Sequence, residues 1–321
     1  MTPADPLIYL RDLRTPDHTR QQHARAVLAG TEQRVARGVY LNAVAWQKLN
    51  PRERYVTRVR AFALTRRSRP VLSHWSAAAM LGLPVLEGWP EGIHITGGGS
   101  SGGRSRGIAR VHSLTLTDED VVEVDGLLVT SIARTVVDMA VAAEFISAVA
   151  IADRALYTDP LGRRLPMVTM DQLEGAFERA RLTRGAAKVP VVLGAAVTQS
   201  GSVLETGSRV TMGVIGCPRP ALQERFDDHA GLIGWTDFYW HDFRLIGEAD
   251  GSIKYLDPEY RSGRTADQVV FGEKVREDRL RALQRGVTRW SWKIGMNPVA
   301  LRAHLVRAGL PMGAPWLSVA P

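Results

Sequence analysis

Acidic side chains between residues 202 and 255 are the groups of this chain best suited to metal chemistry. The candidate catalytic residues in this stretch are Glu205, Asp237, Glu248, Asp250 and Lys254. Mg²⁺ is commonly held by one or two carboxylates, together with waters and a substrate phosphate. A cation held in this way polarises a phosphoryl oxygen and activates a water molecule. The acids therefore predict a site for Mg²⁺ or Mn²⁺ that could cleave phosphodiesters.

Each of these residues has an expected role. Asp237 and Glu248 are the predicted metal ligands, because adjacent antiparallel strands would bring their carboxylates to one ion. Glu248 and Asp250 lie two positions apart, so both side chains are expected on the same face of one strand. Glu205 is expected on a helix over the sheet, as a further ligand or as an acid behind the ligands. Lys254 is predicted to orient the attacking water or to stabilise developing charge.

A structural ion cluster is the alternative interpretation of the same acids. Glu205 could pair with Arg209 one helical turn further on, and Asp237 could simply cap a turn. Against this alternative, the segment GEADGSIKY places two acids and a lysine beside an apolar strand end that is expected to be buried. Unpaired charge is costly in such a place, which favours a metal or nucleic-acid site.

The elements expected around these acids follow the order α-β-β-β-α-β. They are a helix from near Ser202, strands at Pro220–Asp228 and on both sides of His241-Asp242, a helix at Thr265–Gly286 and a strand at Val287–Ile294. The long helix carries mixed charge and is expected to present a solvated face, although Lys274 or Arg276 could point toward a substrate.

The composition limits the classes of protein to which the chain can belong. Its 321 residues predict about two domains, since single hydrophobic cores rarely grow beyond roughly 250–300 residues. No apolar run approaches the roughly 20 residues that span a bilayer, and the first residues lack a signal-peptide pattern. The single cysteine, Cys217, can form no internal disulfide. A cytoplasmic protein is therefore expected.

Positive charge is concentrated toward the N-terminus. The net charge is +8, and residues 1–70 hold 14 Lys and Arg against 5 Asp and Glu. A basic segment joined to a nearly neutral one suggests that a polyanion binds at the N-terminal end. DNA is the expected partner, and a solvated basic face is the alternative.

The first segment is expected to contain a helix at Pro16–Gly30 and a strand pair around Arg37-Gly38, as at the end of a winged helix. Arginines there could reach phosphates, as could those of a glycine-rich hairpin loop that begins at Gly97. The predicted nucleic-acid contacts are Arg20, Arg25, Arg34, Arg37, Arg104 and Arg106. A small helical cap on the next domain is the alternative interpretation of the first segment.

Three domains are predicted: a small basic winged-helix-like domain, a middle α/β domain and the domain with the acids. They span residues 1–50, 51–180 and 181–321. Within the middle domain we expect two strands joined at Asp125-Gly126 and one apolar helix at Ala133–Leu156.

The first half of the chain resembles actinobacterial proteins with an AbiEi-type antitoxin domain. The resemblance rests on RVARGVYL, VLSHWSAAAMLGLP and LLVTSIARTVVDMA, and it covers about residues 7–156. AbiEi is the DNA-binding, self-repressing antitoxin of type IV toxin–antitoxin systems. The resemblance implies an AbiEi-like middle domain, DNA as a partner and a cognate nucleotidyltransferase-type toxin as a further partner.

The last part of the chain resembles the PD-(D/E)XK nuclease core, and more narrowly its very-short-patch-repair-like branch. That family has an acid on the first helix, an Asp on the second strand and an acid near the end of the third. By position these are Glu205, Asp237 and Glu248. The family's third strand ends in E-x-K or a variant, whereas Asp250 stands here two residues after Glu248 and Lys254 follows later.

The sequence therefore predicts an α+β protein in which a winged-helix-like and AbiEi-like part precedes a PD-(D/E)XK-type α-β-β-β-α-β domain. The expected function is DNA binding with metal-dependent cleavage of phosphodiesters. The alternative is a non-enzymatic DNA-binding transcriptional regulator, or type IV antitoxin, with a degenerate nuclease-like scaffold. The acidic Asp250 in the lysine position favours that alternative, and the pair of Asp237 and Glu248 opposes it.

Overall fold

The protein is a mixed α+β protein, seen here in a computed structural model that describes residues 7–9, 16–97, 107–250 and 266–318. Contacts between residues divide the chain into two compact units. The first unit comprises Met1–Ala142 with Asp171–Arg184, and the second comprises Ala143–Met170 with Gly185–Pro321.

The helices and strands described in the first 180 residues are β1 (Ile8–Tyr9), α1 (Pro16–Leu28), β2 (Glu32–Ala36), β3 (Val39–Asn42), α2 (Ala43–Lys48), α3 (Pro51–Leu64), β4 (Val71–Leu72), α4 (His74–Leu81), β5 (Ile93–Gly97), β6 (Ala109–Ser113), β7 (Val121–Val124), β8 (Leu127–Thr130), α5 (Ile132–Ala142), α6 (Phe145–Leu156) and α7 (Met170–Ala180). Those described in the remainder are α8 (Lys188–Ala195), α9 (Val203–Val214), β9 (Ala221–Asp228), β10 (Gly231–Trp240), β11 (Leu245–Ala249), α10 (Ala266–Ala282), β12 (Gly286–Trp290), α11 (Trp292–Gly295) and α12 (Pro298–Arg307).

A three-stranded antiparallel sheet with the strand order β1-β3-β2 lies in the N-terminal part of the first unit. The helix predicted at Pro16–Gly30 is α1, and the strand pair predicted around Arg37-Gly38 is β2 and β3, so both predictions are confirmed. Val35, Val39 and Leu41 are buried in a small cluster that includes α3. The hairpin is thereby packed against α3.

A five-stranded sheet with the order β6-β5-β4-β8-β7 forms the core of the first unit. Helices α3 and α4 pack beside it, and the cluster of buried side chains includes Tyr55, Phe62, Leu72, Ile93 and Val129. Burial of side chains of this size stabilises the fold by roughly 1.5–3 kcal/mol each, which explains why the apolar runs of this segment form its interior.

A fully buried arginine, Arg134 on α5, joins two buried carboxylates in the first unit. It donates to Asp138 Oδ1 at 2.9 Å, to Asp120 Oδ2 at 3.1 Å and to the Thr115 carbonyl at 2.9 Å. Both carboxylates are as inaccessible to solvent as the guanidinium. Buried charges are tolerated when they are paired and hydrogen-bonded, so this network ties α5 to the segment that precedes β7.

Three histidines, His74, His94 and His112, also lie together in the first unit. The rings of His74 and His112 stack with their centroids 3.5 Å apart, and His94 Nδ1 is 2.9 Å from His112 Nε2. Burial, with the charge of neighbouring histidines, lowers the pKa of His74 to about 2 and the pKa of His94 to about 4. Burial also lowers the pKa of His112. The cluster is therefore uncharged at neutral pH.

Acid should weaken the first unit through these histidines. Between pH 6.5 and about pH 4 the unfolded chain binds protons on them while the folded protein does not, so the free energy of unfolding falls as the pH falls. The expected loss approaches about 1.4 kcal/mol per histidine per pH unit, measured by urea unfolding at pH 7 and pH 5. His112→Phe keeps a stacked ring and should weaken the pH dependence, whereas the exposed His241→Gln should not. The same pH dependence in wild type and His112→Phe would contradict this account.

The prediction of one helix at Ala133–Leu156 is wrong, because the chain forms α5 and α6 instead. Glu144 between them has φ −59° and ψ 146°, an extended conformation that interrupts a helix. Helix α5 packs with α4 in the first unit, and α6 packs with α9 in the second unit. The helix is therefore interrupted where the chain passes from one unit to the next.

A four-stranded mixed sheet with the order β12-β11-β10-β9 lies at the centre of the second unit. Strand β10 pairs antiparallel with β9 and with β11, and β12 pairs parallel with β11. With α9 before β9 and α10 before β12, the described elements run helix, three strands, helix, strand, as expected from the sequence.

Helices α9 and α10 cover opposite faces of this sheet. On one face, Phe238 and Trp240 pack with α9, and Trp290 Nε1 donates to Ser208 Oγ at 2.8 Å. On the other face, Leu280 of α10 packs among side chains from β9, β10 and β11. Because strand residues alternate between faces, the neighbours of Phe238 and Trp240 along β10 point toward α10.

Two of the predicted element ends are wrong in the second unit. Strand β12 ends at Trp290, and the helical turn of α11 begins at Trp292, so the strand does not reach Ile294. Helix α10 ends at Ala282, and Gly286 is the first residue of β12 rather than the end of the helix. In the part of the chain that the structure describes, no helix has the length and apolar character needed to cross a membrane.

Candidate carboxylate site

The predicted metal ligands, Asp237 and Glu248, lie opposite each other where β10 and β11 meet. The antiparallel ladder pairs Phe238 with Gly247, so Asp237 and Glu248 form the next cross-strand pair. Asp237 Oδ2 accepts a hydrogen bond from the backbone N–H of Ala249 at 2.9 Å. Both carboxylates are buried, at 9% and 8% of full exposure, so the structure brings this predicted pair together.

Glu205 is a buried acid in the first turn of α9, the helix on the other face of the sheet from α10. The Ser202 side chain caps this helix by accepting from the Glu205 backbone N–H, and Glu205 Oε2 accepts from the Gly201 N–H at 2.9 Å. The alternative pairing of Glu205 with Arg209 is wrong, because Arg209 donates to Asp153 Oδ2 at 2.7 Å. The helix therefore presents its buried acid to the sheet rather than to its own next turn.

Gln223 on β9 links two of the acids, and no sequence pattern indicated this residue. Its Nε2 is 3.3 Å from Glu205 Oε2 and 3.5 Å from Asp237 Oδ1. The backbone of Gln223 has φ +48°, a left-handed conformation that costs a non-glycine residue roughly 1–3 kcal/mol. Strain of this kind persists where the surrounding structure determines it, and it is concentrated at functional sites.

Arg276 on α10 supplies a positive charge to the site. Its Nη2 donates to Glu248 Oε1 at 3.1 Å and to the carbonyl of Trp235 at 2.6 Å. Gly234 has φ +140° at an irregularity of the β9–β10 register, and a Cβ there would lie 3.2 Å from Arg276 Nε. A glycine at this bend therefore leaves room for the guanidinium. The mixed charge of α10 was the sequence signal for this residue.

Asp250, two residues after Glu248, lies one residue beyond the end of β11. Its backbone N–H donates to the Trp290 carbonyl at 2.9 Å, which extends the parallel pairing by one step. Its carboxylate is 4.0 Å from Arg289 Nη1, and Arg289 Nε is 3.2 Å from Glu277 of α10. Asp250 therefore faces an arginine of the neighbouring strand. Lys254 lies outside the described residues.

The donor atoms at Asp237 and Glu248 suit a hard divalent cation, which prefers oxygen ligands and often takes only one or two carboxylates. Glu248 is shared with Arg276, so a cation would bind beside a guanidinium. Within residues 7–9, 16–97, 107–250 and 266–318, no group of three or more His, Cys, Asp and Glu could hold a metal ion. The fit of the site to a divalent cation therefore rests on the carboxylates of Asp237 and Glu248, with Glu205 behind Asp237.

The predicted nucleic-acid contacts that the structure describes are Arg20 and Arg25 on α1, Arg34 on β2 and Arg37 in the turn to β3. All four side chains are exposed. None of the four forms an ion pair or a side-chain hydrogen bond with the part of the chain that is described. Arg104 and Arg106 lie outside the described residues.

The arginines of α3 differ from those four, because the protein itself holds them. Arg52 donates to the Ala79 carbonyl at 2.7 Å, Arg58 to the Pro90 carbonyl at 3.1 Å, and Arg60 to Asp125 at 2.8 Å. Much of the positive charge of this segment therefore has a structural use. Among the described residues, Arg20, Arg25, Arg34 and Arg37 on α1 and the β2–β3 hairpin are not held in this way.

No protein-family model matches this chain, and no curated protein matches its sequence. A function must therefore be argued from the geometry and chemistry of the chain's own residues.

Proposed function

We propose that the second unit is a metal-dependent nuclease-like domain of the PD-(D/E)XK type and that its substrate is DNA. One observation carries the proposal: Asp237 and Glu248 lie buried at adjacent cross-strand positions of β10 and β11, and Gln223 connects Asp237 to the buried Glu205 of α9. A single amide nitrogen of Gln223 contacts two of them. Charged side chains that serve only as solvated surface are rarely buried together in this way.

The chain's own residues would divide the work as follows. Asp237 and Glu248 would hold the cation, and Glu205 would sit behind Asp237 on the other side of Gln223. The N–H of Ala249 holds Asp237 independently of any ion, so the carboxylate is oriented in advance. A bound Mg²⁺ or Mn²⁺ polarises a phosphoryl oxygen and lowers the pKa of a water.

The test is a cleavage assay on supercoiled and linear DNA with Mg²⁺, with Mn²⁺ and with a chelator. Wild type should cut only when a divalent cation is present, and Asp237→Asn should not cut under any of these conditions. Absence of cutting by wild type in both metals would sink the nuclease proposal, as would full cutting by Asp237→Asn.

DNA binding in this proposal belongs to the first unit, through a winged-helix-like arrangement of α1 and the β2–β3 hairpin. The support is a contrast: Arg20, Arg25, Arg34 and Arg37 are exposed and form no ion pair within the described part of the chain, whereas arginines of α3 donate to groups of the protein itself. Arginine and lysine contacts to phosphates position a protein on a duplex and release counterions.

A variant with Gln at Arg20, Arg25, Arg34 and Arg37 should bind DNA more weakly and with less dependence on salt. Each phosphate contact adds about 0.9 to the slope of log affinity against log salt, so the slope should fall by roughly 3 to 4. Fluorescence anisotropy of labelled DNA over a series of salt concentrations measures this slope. Arg302→Gln, an exposed arginine of α12, is the matched control and should leave the slope unchanged. An unchanged slope in the fourfold variant would place the DNA contacts elsewhere.

A second candidate is a non-enzymatic DNA-binding regulator or antitoxin that keeps the carboxylate site as a scaffold. The observation that favours this candidate is that two of the acids already have arginine partners: Arg276 pairs with Glu248, and Arg289 lies near Asp250. It predicts DNA binding that persists without divalent cations and survives Glu248→Gln. A nucleotidyltransferase-type toxin would then be the further partner, to be tested by co-purification of the two proteins.

A further inference from the structure

Arg276 stands where the site needs a cation and where the chain has no lysine on β11. The E-x-K pattern would place a lysine two residues after Glu248, and Asp250 is there instead. The guanidinium comes from α10, across the face of the sheet, and contacts Glu248 Oε1 at 3.1 Å. Within the described part of the chain, the guanidinium at Glu248 therefore comes from α10.

The position of this guanidinium is fixed from two sides. Its second contact, at 2.6 Å, is the Trp235 carbonyl of the strand that also carries Asp237. The side chain is mostly buried, with 20% of its surface exposed, and Gly234 gives it room. A guanidinium is planar and permanently charged, so held in this way it acts as a fixed positive charge beside one of the two metal ligands.

We propose that Arg276 is the positioning cation of the carboxylate site, and that it sets the affinity for the divalent cation by sharing Glu248 with it. The inference rests on the proposed nuclease-like site. A fixed positive charge beside a ligand opposes the entry of a second cation, and it also keeps the Glu248 carboxylate in one orientation. Removal of the charge should therefore strengthen metal binding and weaken catalysis at the same time.

The opposite signs of the two effects separate this role from a structural one. A side chain that only supports the fold would, when removed, lower metal affinity, activity and thermal stability together. Competition for Glu248 predicts that Arg276→Met binds Mn²⁺ about tenfold or more tightly than wild type, since an adjacent opposite charge commonly shifts a carboxylate's proton affinity by a factor of ten or more. Its cleavage rate at saturating Mn²⁺ should be lower than that of wild type.

The experiment is calorimetric titration of the full chain with Mn²⁺ at pH 7, beside thermal unfolding and the cleavage assay. Arg279→Met is the matched control: it lies on the same helix and pairs with Asp228 at 2.6 Å, away from the acids. It should leave Mn²⁺ affinity unchanged. Arg276→Lys should stay near the wild-type affinity, because it keeps the charge. Arg276→Gln repeats the neutral substitution should the methionine variant fail to fold.

Combination with Glu248→Gln completes the test. In that background Arg276→Met should no longer raise Mn²⁺ affinity, because the shared carboxylate is gone. Unchanged or weaker Mn²⁺ binding by both neutral variants at Arg276 would overturn the inference even if wild type cuts DNA. Tighter binding by these variants, with no cutting by any protein, would support the role of Arg276 and refute the nuclease.

Discussion

Arg134→Met should destabilise the first unit by about 3–5 kcal/mol, because it leaves the buried Asp138 without its cation and leaves the buried Asp120 with only the more distant Arg179. The guanidinium is inaccessible to solvent and donates to both Asp120 and Asp138. Methionine fills a similar volume but carries no charge and no donor. Urea unfolding gives the free energy, and amide hydrogen exchange along α5 shows whether the loss is local to the first unit.

The loss should also depend on pH, which a simple packing defect would not. Burial raises the pKa of Asp138 to about 6 even though Arg134 lowers it. Without Arg134 the pKa of Asp138 in the folded protein rises further. Above the ordinary pKa of an aspartate, the folded protein then keeps a proton on Asp138 that the unfolded chain has released. The free energy of unfolding therefore falls as the pH rises. The deficit of Arg134→Met should therefore be larger at pH 8 than at pH 5.

An exposed arginine provides the matched control for this substitution. Arg69 pairs with Glu123 at 2.8 Å, but both side chains are more than half exposed. Arg69→Met should cost at most about 1 kcal/mol, as exposed ion pairs do. Equal losses in the two variants would show that burial of the Arg134 network contributes nothing to the stability of the first unit.

The order of elements around the carboxylate site could be predicted because each has a local signal. Ser202 is a capping residue, β10 is rich in strand-forming aromatic and β-branched residues, and α10 is a long run of charged helix-forming residues. The pairing of Asp237 with Glu248 follows from that order once the register of β10 and β11 is set. These parts of the site depend on short-range patterns.

The parts that escaped prediction depend on contacts between distant segments. Gln223 is an ordinary strand residue in the sequence, and its positive φ and its place between two acids exist only in the folded sheet. The interruption at Glu144 separates two helices of equal apolar character, because each packs on a different neighbour. In the sequence Arg276 is one of several charged residues of α10, and only the folded sheet shows that it contacts Glu248.

Asp237→Asn should lower DNA cleavage by at least about 10³-fold while leaving the fold intact. A metal ion contributes several kcal/mol of transition-state stabilisation, and each 1.36 kcal/mol is a factor of ten in rate. Asparagine has the shape of aspartate, and its carbonyl oxygen can still accept from the Ala249 N–H that Asp237 Oδ2 accepts now. The melting temperature should therefore change little, although Mn²⁺ binding by calorimetry should be lost.

Glu248→Gln should differ from Asp237→Asn in stability although both lose cleavage. It removes the carboxylate that pairs with Arg276, a mostly buried guanidinium, so its melting temperature should fall where that of Asp237→Asn does not. Asp227→Asn, an exposed acid of β9 paired with Arg225, is the matched control and should cut within about twofold of wild type by the rate arithmetic above. DNA retarded equally by all the variants, with no cutting by any, would favour the regulator, because binding would then need neither carboxylate.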